Sequence, residues 1–249
     1  MDHNPYIRDI PGSPMAVLMI HGIAGTPAHF RDLLPLIPES WTVHNIVLDG
    51  HGGSVSDFAA SSMDAWRSQA LGEVEQLLSR HEKLILIAHS MGTLFSIQAA
   101  IRHPERIPFL FLLNVPTRPW VRFSTLLTSL RVSGGNLRKN DAAGWAMKNA
   151  TCIRLERGIW KYAGWIPRLV ELLGEIHRTR KLLPQLSVPT LAFQSRVDEL
   201  VSFSSCRDLA NHPRITLTVL HDSGHFQYGP EDTKRLQAAL RRQIERIRL

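Results

Sequence analysis

The chain has 249 residues, of which 44% are hydrophobic and 20% are charged, so it fits one compact globular domain rather than a disordered or fibrous protein. Its two cysteines, Cys152 and Cys206, lie far apart without a CxxC pair, which argues against a disulfide framework and a zinc site. The first residues show no basic region followed by an apolar stretch, and no apolar run approaches membrane-spanning length. We therefore expect a cytoplasmic protein.

The positive charge is concentrated in one part of the chain. The formal net charge is +7, and residues 116–186 hold 13 Lys or Arg against 4 Asp or Glu, which leaves the rest of the chain at −2. Such a segment either attracts acidic substrates or anionic headgroups, or forms a solvated amphipathic surface. We favour the solvated surface, with weak association with an anionic membrane surface as the alternative. No nucleic-acid-binding module accompanies the charge, so no nucleic-acid partner is predicted.

Short apolar runs alternate with helical patterns along the chain. The runs are bounded by Gly, Pro, Asn or Asp and predict six strands. They are Ala16–Ile20, Val43–Leu48, Leu84–Ala88, Phe109–Leu113, Thr190–Phe193 and Thr216–Leu220. Apolar residues at helical spacing predict helices over Phe30–Ile37, Met63–Leu77, Thr93–Arg102 and Glu231–Ile247. This alternation predicts an α/β fold with a mostly parallel sheet of about six or more strands, flanked by helices.

Residues 116–186 interrupt the alternation, because they contain helical patterns and no convincing strand. We predict that they form a helical lid inserted into a core made of residues 1–115 and 187–249. An apolar underside of such a lid would cover a pocket. The alternative is that its aromatic residues pack only against one another. Four of the six tryptophans lie in this segment: Trp120, Trp145, Trp160 and Trp165.

Ser90 stands where a predicted strand turns directly into a predicted helix. Such a tight turn strains the backbone and projects the serine hydroxyl beyond the sheet. Ala88 and Gly92, two positions on either side, supply the small side chains that the turn needs. This pattern is typical of a nucleophilic serine, although a serine that simply caps a helix is the alternative.

A nucleophilic serine needs a base and a group that orients the base, and both have candidates in the right order. Asp198 follows the strand at Thr190–Phe193, and His225 follows the strand at Thr216–Leu220. In a mostly parallel sheet these strand ends meet at one edge. The sequence therefore predicts Ser90 as nucleophile, His225 as base and Asp198 as the orienting acid.

Other residues compete for these roles. Glu199 is an alternative acid, but the shorter Asp198 directly follows the turn and is preferred. Asp222 is too close to His225 in sequence, and His89 is interpreted as lining the turn. His221 and His225 have a spacing that binds metal on a helix, but Ser-Gly between them indicates a loop and no HExxH glutamate is present. No metal and no cofactor is predicted.

The loop after the first predicted strand is rich in small residues and predicts an oxyanion-binding site. The N–H groups of Ile23, in this loop, and of Met91, at the start of the helix after Ser90, are the expected donors. Fixed backbone donors lower the barrier of acyl transfer by stabilising the developing negative charge. The start of a helix also favours negative charge.

Five motifs in this order resemble the α/β-hydrolase superfamily, and within it compact bacterial carboxylesterases and monoacylglycerol lipases with a small lid. The resemblance covers about residues 14–115 and 186–249 and does not extend to the lid. It departs from the family at Ala88, where glycine is usual, at Thr93, and in a leading β-hairpin that is shortened or missing. The motifs are HGIAGTP (21–27), LDGHG (48–52), AHSMG (88–92), RVDELV (196–201) and SGH (223–225).

The resemblance implies hydrolysis of carboxylic esters through an acyl-enzyme. We expect a small-molecule or lipid ester as substrate, with a small or medium acyl chain or a monoacylglycerol-like structure. The same residue set also serves thioesterases, amidases, acyl transferases and C–C bond hydrolases. A ligand receptor that keeps the fold without turnover is a further alternative. The sequence makes no prediction for the oligomeric state.

Overall fold

The structure, a computed structural model, describes residues 3–118 and 123–248, so Trp120, one of the tryptophans assigned to the lid, lies outside the described residues. Within them, seven strands form one sheet. The strands are β1 (Tyr6–Arg8), β2 (Met15–Ile20), β3 (Thr42–Asn45), β4 (Lys83–His89), β5 (Leu110–Leu113), β6 (Thr190–Ser195) and β7 (Ile215–Leu220). Their spatial order is β1-β3-β2-β4-β5-β6-β7.

All neighbouring strands from β3 to β7 pair in parallel, and only β1 runs antiparallel to its neighbour β3. The register aligns Ile20 with Ala88 and His89 with Leu113. The carboxyl ends of β2, β4 and β5 therefore reach the same edge of the sheet. This edge carries the loops in which the predicted site residues lie, and the predicted α/β fold class is confirmed.

Eight α-helices lie in the described residues, and the shorter turns are 3-10 helices. The helices are α1 (Val55–Ala60), α2 (Met63–Arg80), α3 (Met91–Arg102), α4 (Phe123–Ser133), α5 (Ala142–Asn149), α6 (Trp165–Leu182), α7 (Ser205–Ala210) and α8 (Pro230–Arg248). The expected helix over Phe30–Ile37 is wrong. Two short 3-10 turns, Pro27–Phe30 and Leu34–Leu36, stand there, because Pro35 lacks the N–H that a helix interior needs.

Both faces of the sheet are buried, as the continuous apolar strands require. In β2, Leu18 and Ile20 point to one face, and Val17 and Met19 point to the other. The first face packs against α2 and α3, and the second packs against α8 and the 3-10 turns. The sheet is thus fixed between two layers of helix, which holds its carboxyl edge in place.

The residues between β5 and β6, here called the inserted segment (residues 116–186), contain α4, α5 and α6. In its described part there is no strand longer than a single bridge, which joins Ser54 and Arg154. Among the described helices none is both long and apolar enough to cross a membrane. The division into a core and a lid stays a prediction.

Candidate active site

Ser90 is the single residue between β4 and α3, and its backbone is strained. Its φ is +51° and its ψ is −122°, a backbone conformation that residues other than glycine rarely adopt. Its side chain makes no capping hydrogen bond to the helix, so the structure gives no support to the helix-cap alternative. A Cβ atom at Gly92 would lie 2.2 Å from the carbonyl oxygen of Ile20. Only glycine therefore allows α3 to approach β2 this closely.

The loop after β2 passes directly against Ser90. A Cβ atom at Gly22 would lie 2.8 Å from the Cβ of Ser90 and 3.3 Å from its Oγ. The two N–H groups predicted to bind an oxyanion belong to the next residues along the chain. Ile23 directly follows Gly22, and Met91 directly follows Ser90. Neither donates a hydrogen bond to a described residue. The structure therefore brings both amides to the carboxyl edge beside Ser90.

Two buried histidines hold this loop in place. The Nε2 of His21 accepts the N–H of Leu48 at 3.1 Å, and its Nδ1 donates to the carbonyl of Gly22 at 2.8 Å. The Nε2 of His51 accepts the N–H of Ala24 at 3.0 Å. Burial lowers the pKa of His21 to about 4 and that of His51 well below its usual value. Both rings are therefore neutral at pH 7, as an accepting nitrogen requires.

Asp198 and His225 form a buried pair. The Nδ1 of His225 donates to Oδ2 of Asp198 at 2.8 Å. The other oxygen of Asp198 accepts the N–H groups of Leu200 and Val201 at 2.8 and 2.7 Å. Because both carboxylate oxygens are held, the acid can fix the ring in one orientation with Nε2 free to accept a proton.

The competing acid, Glu199, contacts the same histidine differently. Its Oε2 accepts the main-chain N–H of His225 at 2.6 Å, whereas the imidazole ring of His225 is hydrogen-bonded to Asp198. Asp222 is exposed to solvent, and its main-chain N–H donates to Asp232 at 2.8 Å. In this geometry the ring of His225 contacts Asp198 and not Glu199, and the assignment of the acid stays a prediction.

A row of aromatic rings connects the predicted base to the core. The ring of His89 lies 4.7 Å from the ring of His225, and on its other side it stacks on His29 with the centroids 3.7 Å apart. His29 in turn hydrogen-bonds to the hydroxyl of Tyr228 at 3.0 Å. Burial, with a smaller effect from His225, lowers the pKa of His29 to about 3. Sequence reasoning missed His29 and Tyr228, because only the fold brings His29 against His89 and Tyr228 against His29.

No metal centre is found in the parts of the chain that the structure describes, where no group of three His, Cys, Asp or Glu side chains is placed to hold an ion. His221 is exposed, while His225 is buried against Asp198. The two histidines thus face different surroundings despite their spacing.

The inserted segment is fastened to the core mainly through α6. The Nε1 of Trp165 donates to the carbonyl of Val55 at 3.0 Å. The carboxylate of Glu175, which is 2% exposed, accepts from Arg67 at 2.9 Å and from Gln98 at 2.6 Å. A second attachment reaches the loop beside Ser90, where the thiol of Cys152 donates to the carbonyl of Gly25 at 3.0 Å.

Comparison with known proteins supports the predicted fold and the predicted class, a hydrolase enzyme. Residues 15–130 match the family model of the alpha/beta hydrolase fold. The thermostable monoacylglycerol lipase of Bacillus sp. (strain H-257) is 25% identical over 189 residues, which is 76% of this chain and 72% of that one.

Two solved structures are similar over nearly the whole chain. One comes from work on LipS and LipT, two metagenome-derived lipolytic enzymes, and superposes with a TM-score of 0.72 at 22% identity, covering 96% of this chain and 98% of that one. The other, the monoacylglycerol lipase of Paleococcus ferrophilus, has a TM-score of 0.66 at 16% identity and covers 96% and 97%.

The chain therefore has the α/β-hydrolase fold and resembles lipases and esterases that share it. The predicted class, a hydrolase enzyme, is confirmed at that level.

Proposed function

We propose that the protein hydrolyses carboxylic esters through a Ser90–His225–Asp198 triad. Ser90 Oγ attacks the ester carbonyl while His225 Nε2 takes its proton, and Asp198 keeps Nδ1 protonated. The N–H groups of Ile23 and Met91 bind the oxyanion, and His225 then gives the proton to the departing alcohol. Water repeats the attack on the acyl-enzyme and releases the acid and the free serine.

The observation that carries this proposal is the buried Asp198–His225 hydrogen bond of 2.8 Å, at the same edge as a strained serine without a capping role. Ser90→Ala removes the attacking oxygen. We expect it to lower the hydrolysis of a p-nitrophenyl ester by at least about a thousandfold, while the protein stays folded. Retained turnover in this variant would contradict the proposal.

An ester is the favoured substrate over other acyl compounds. The Bacillus relative is a monoacylglycerol lipase, so we propose esters with a small or medium acyl chain, including monoacylglycerol-like lipids. Relative kcat/KM for matched esters, thioesters, amides and C–C substrates tests the choice. A higher value for any class other than the esters would overturn it.

A surface on the inserted segment supports a second proposal, that the protein associates with anionic lipid. The apolar face of α6 (Ile166, Leu169, Val170 and Leu173) is exposed to solvent over half or more of each side chain. These residues recur at helical spacing on one side of the helix. Just before them, Trp160 is 76% exposed. An apolar stripe of this kind is uncommon on a surface that contacts only water.

The charges around this face complement an anionic surface. Lys181 follows it on α6 and is exposed, as is Arg178, whose guanidinium lies 3.8 Å from the carboxylate of the buried Glu175. The acidic residues of α6 are engaged, since Glu171 pairs with Arg168 at 2.6 Å and Glu175 is buried. An apolar helix face next to basic residues is the pattern of helices that lie at the interface of anionic bilayers.

Binding to phosphatidylglycerol vesicles, compared with phosphatidylcholine vesicles, tests this second proposal. We expect binding to the anionic vesicles that weakens with added salt and is lost in Leu169→Asp. Ile7→Asp is the matched control, because Ile7 and Leu169 are both 50% exposed but Ile7 lies on β1. Absence of binding would contradict the proposal. A dimer that Leu169→Asp dissociates would also contradict it, and would assign the face to contact with a second copy of the chain.

A further inference from the structure

Glu199 makes two contacts that connect different parts of the molecule. Its carboxylate accepts the main-chain N–H of His225 at 2.6 Å. Its carbonyl accepts the hydroxyl of Thr125, a buried residue of α4, at 3.2 Å. Two consecutive acids therefore hold one histidine, with Asp198 on the ring and Glu199 on the main chain.

The glycine before His225 is explained by the same carboxylate. A Cβ atom at Gly224 would lie 2.7 Å from Oε1 and 2.8 Å from Oε2 of Glu199. The φ of Gly224 is not positive, unlike that of five other glycines. Glycine is thus required here for close approach to Glu199 rather than for an unusual backbone angle.

The other side of this peptide is also held. The carbonyl of Gly224 accepts the hydroxyl of Ser195, at the end of β6, at 3.1 Å. It also accepts the side-chain amide of Asn114, which follows β5, at 3.4 Å. Asn114 has a φ of +54°, a left-handed backbone angle that, apart from glycine, asparagine adopts more readily than most residues. The carbonyl of Gly224 is thus held by residues that end or follow strands of the sheet, and the next N–H, that of His225, is held by Glu199.

We propose that Glu199 is a positioning residue, which fixes the backbone of His225 and couples the docking of α4 to the geometry of the triad. The inference rests on the proposed function, because His225 matters here as the base. A displacement of a catalytic group by about 1 Å can cost about a hundredfold in rate. Loss of the Glu199 contact should therefore lower kcat, while substrate binding is little changed.

A small series of variants tests this role through kcat and KM for a p-nitrophenyl ester. Glu199→Ala should lower kcat by about ten- to a hundredfold with KM within about threefold. Glu199→Gln retains an accepting oxygen and should show a clearly smaller loss than Glu199→Ala, since neutral hydrogen bonds are about half as strong as charged ones. Thr125→Val should act in the same direction with a smaller effect. Ser133→Ala, which removes a hydroxyl bonded within α4, should leave both constants unchanged.

A proton NMR signal provides a readout that does not depend on turnover. The Nδ1 proton of His225, in its hydrogen bond to Asp198, should be sharp at low field in the wild type and in Glu199→Gln. It should broaden or shift in Glu199→Ala. A wild-type protein that gives this signal but hydrolyses no ester would contradict the proposed function and leave the positioning role standing.

Two results would overturn the positioning role itself. One is a Glu199→Ala protein with wild-type kcat and an unchanged His225 signal. The other is an equal loss of kcat in Glu199→Ala and Glu199→Gln, because the retained oxygen would then have no effect. If Glu199→Ala does not fold, Glu199→Gln and Thr125→Val carry the test, and wild-type behaviour of Thr125→Val would refute the coupling to α4.

Discussion

Glycines show how differently the carboxyl edge of the sheet and the inserted segment are built. At the edge, a Cβ atom on Gly92 would lie 2.2 Å from a main-chain oxygen, whereas a Cβ atom on Gly174 in α6 would meet nothing within 4 Å. The edge is fixed by close contacts around Ser90. The segment is held at a few points and leaves apolar surface exposed. A Cβ atom at position 92 therefore forces main-chain atoms at the edge to move, whereas position 174 on the exposed side of α6 has room for one.

The largest effect is expected from a substitution that disrupts packing at the carboxyl edge of the sheet. Gly92→Ala forces the Ile20 carbonyl or α3 to move, and overpacking of a rigid core costs up to about 3 kcal/mol and occasionally more. We expect a corresponding loss of free energy of unfolding in urea, together with loss of ester hydrolysis because Ser90 is displaced. Wild-type stability would show that α3 and β2 can separate without cost.

The next largest effect is expected from a substitution that weakens the attachment of the inserted segment to the core. Glu175→Ala leaves Arg67 and Gln98 without their buried acceptor, and breaking a buried ion pair costs about 3 kcal/mol. We expect lower stability and faster amide hydrogen exchange in α6 than in β4. Glu231→Ala is the control, since its pair with Lys234 is exposed and should contribute less than about 1 kcal/mol. Equal effects of the two variants would contradict the attachment proposed for α6.

Acid should weaken the edge through its neutral histidines. The pKa of His21 is about 4 in the folded protein and about 6.5 in an unfolded chain. The unfolded state therefore takes up the proton first, so this stability is complete above pH 6.5 and is lost as the pH falls towards 4. From pH 7.5 to 5.0 the loss from His21 alone is about 2 kcal/mol, measurable by urea unfolding.

His44, in β3, provides the opposite case. Its hydrogen bond to Glu73 raises its pKa, so its contribution is present below pH 6.5 and is lost as the pH rises through the folded value. His44→Gln should therefore make the acid loss of stability steeper. A shallower pH dependence in this variant would contradict the assignment.

The smallest effect is a gain in stability within the segment. Gly174→Ala replaces a poor helix former on an exposed, uncrowded position of α6. It should raise the free energy of unfolding by about 1 kcal/mol without changing ester hydrolysis. A loss of stability would show that α6 needs glycine for a contact that the structure does not contain.

The sequence makes specific predictions for the residues at the carboxyl edge, because the patterns that mark them are local in the chain. Ser90 is marked by the small residues around it, and Asp198 and His225 each follow a recognisable strand. The strand β1 was missed, since Tyr6–Arg8 has only three residues at the edge of the sheet. The strand predicted to reach Leu48 ends at Asn45, because apolar residues after it are buried in a loop rather than in the sheet.

The residues that support the site are harder to predict, because their partners are distant in sequence. The ring of His51 accepts the N–H of Ala24, 27 residues away, and no role is predicted for His51 from the sequence. Glu199 is visible as an alternative acid, but its contact with the main chain of His225 depends on the loop conformation. The apolar residues Leu169 and Leu173 predict a helix correctly, yet only the fold shows that they face solvent.

The central claim is that Ser90 is the nucleophile. Identifying the residue that a fluorophosphonate probe labels tests it most directly. After brief exposure of the folded protein, peptide mass spectrometry should locate one label per chain on Ser90, and His225→Ala should abolish the labelling. Fast labelling also separates an enzyme from a receptor that keeps the fold without turnover. An inert Ser90, or a label on another residue, would contradict the account of Ser90 as the nucleophile activated by His225 and Asp198.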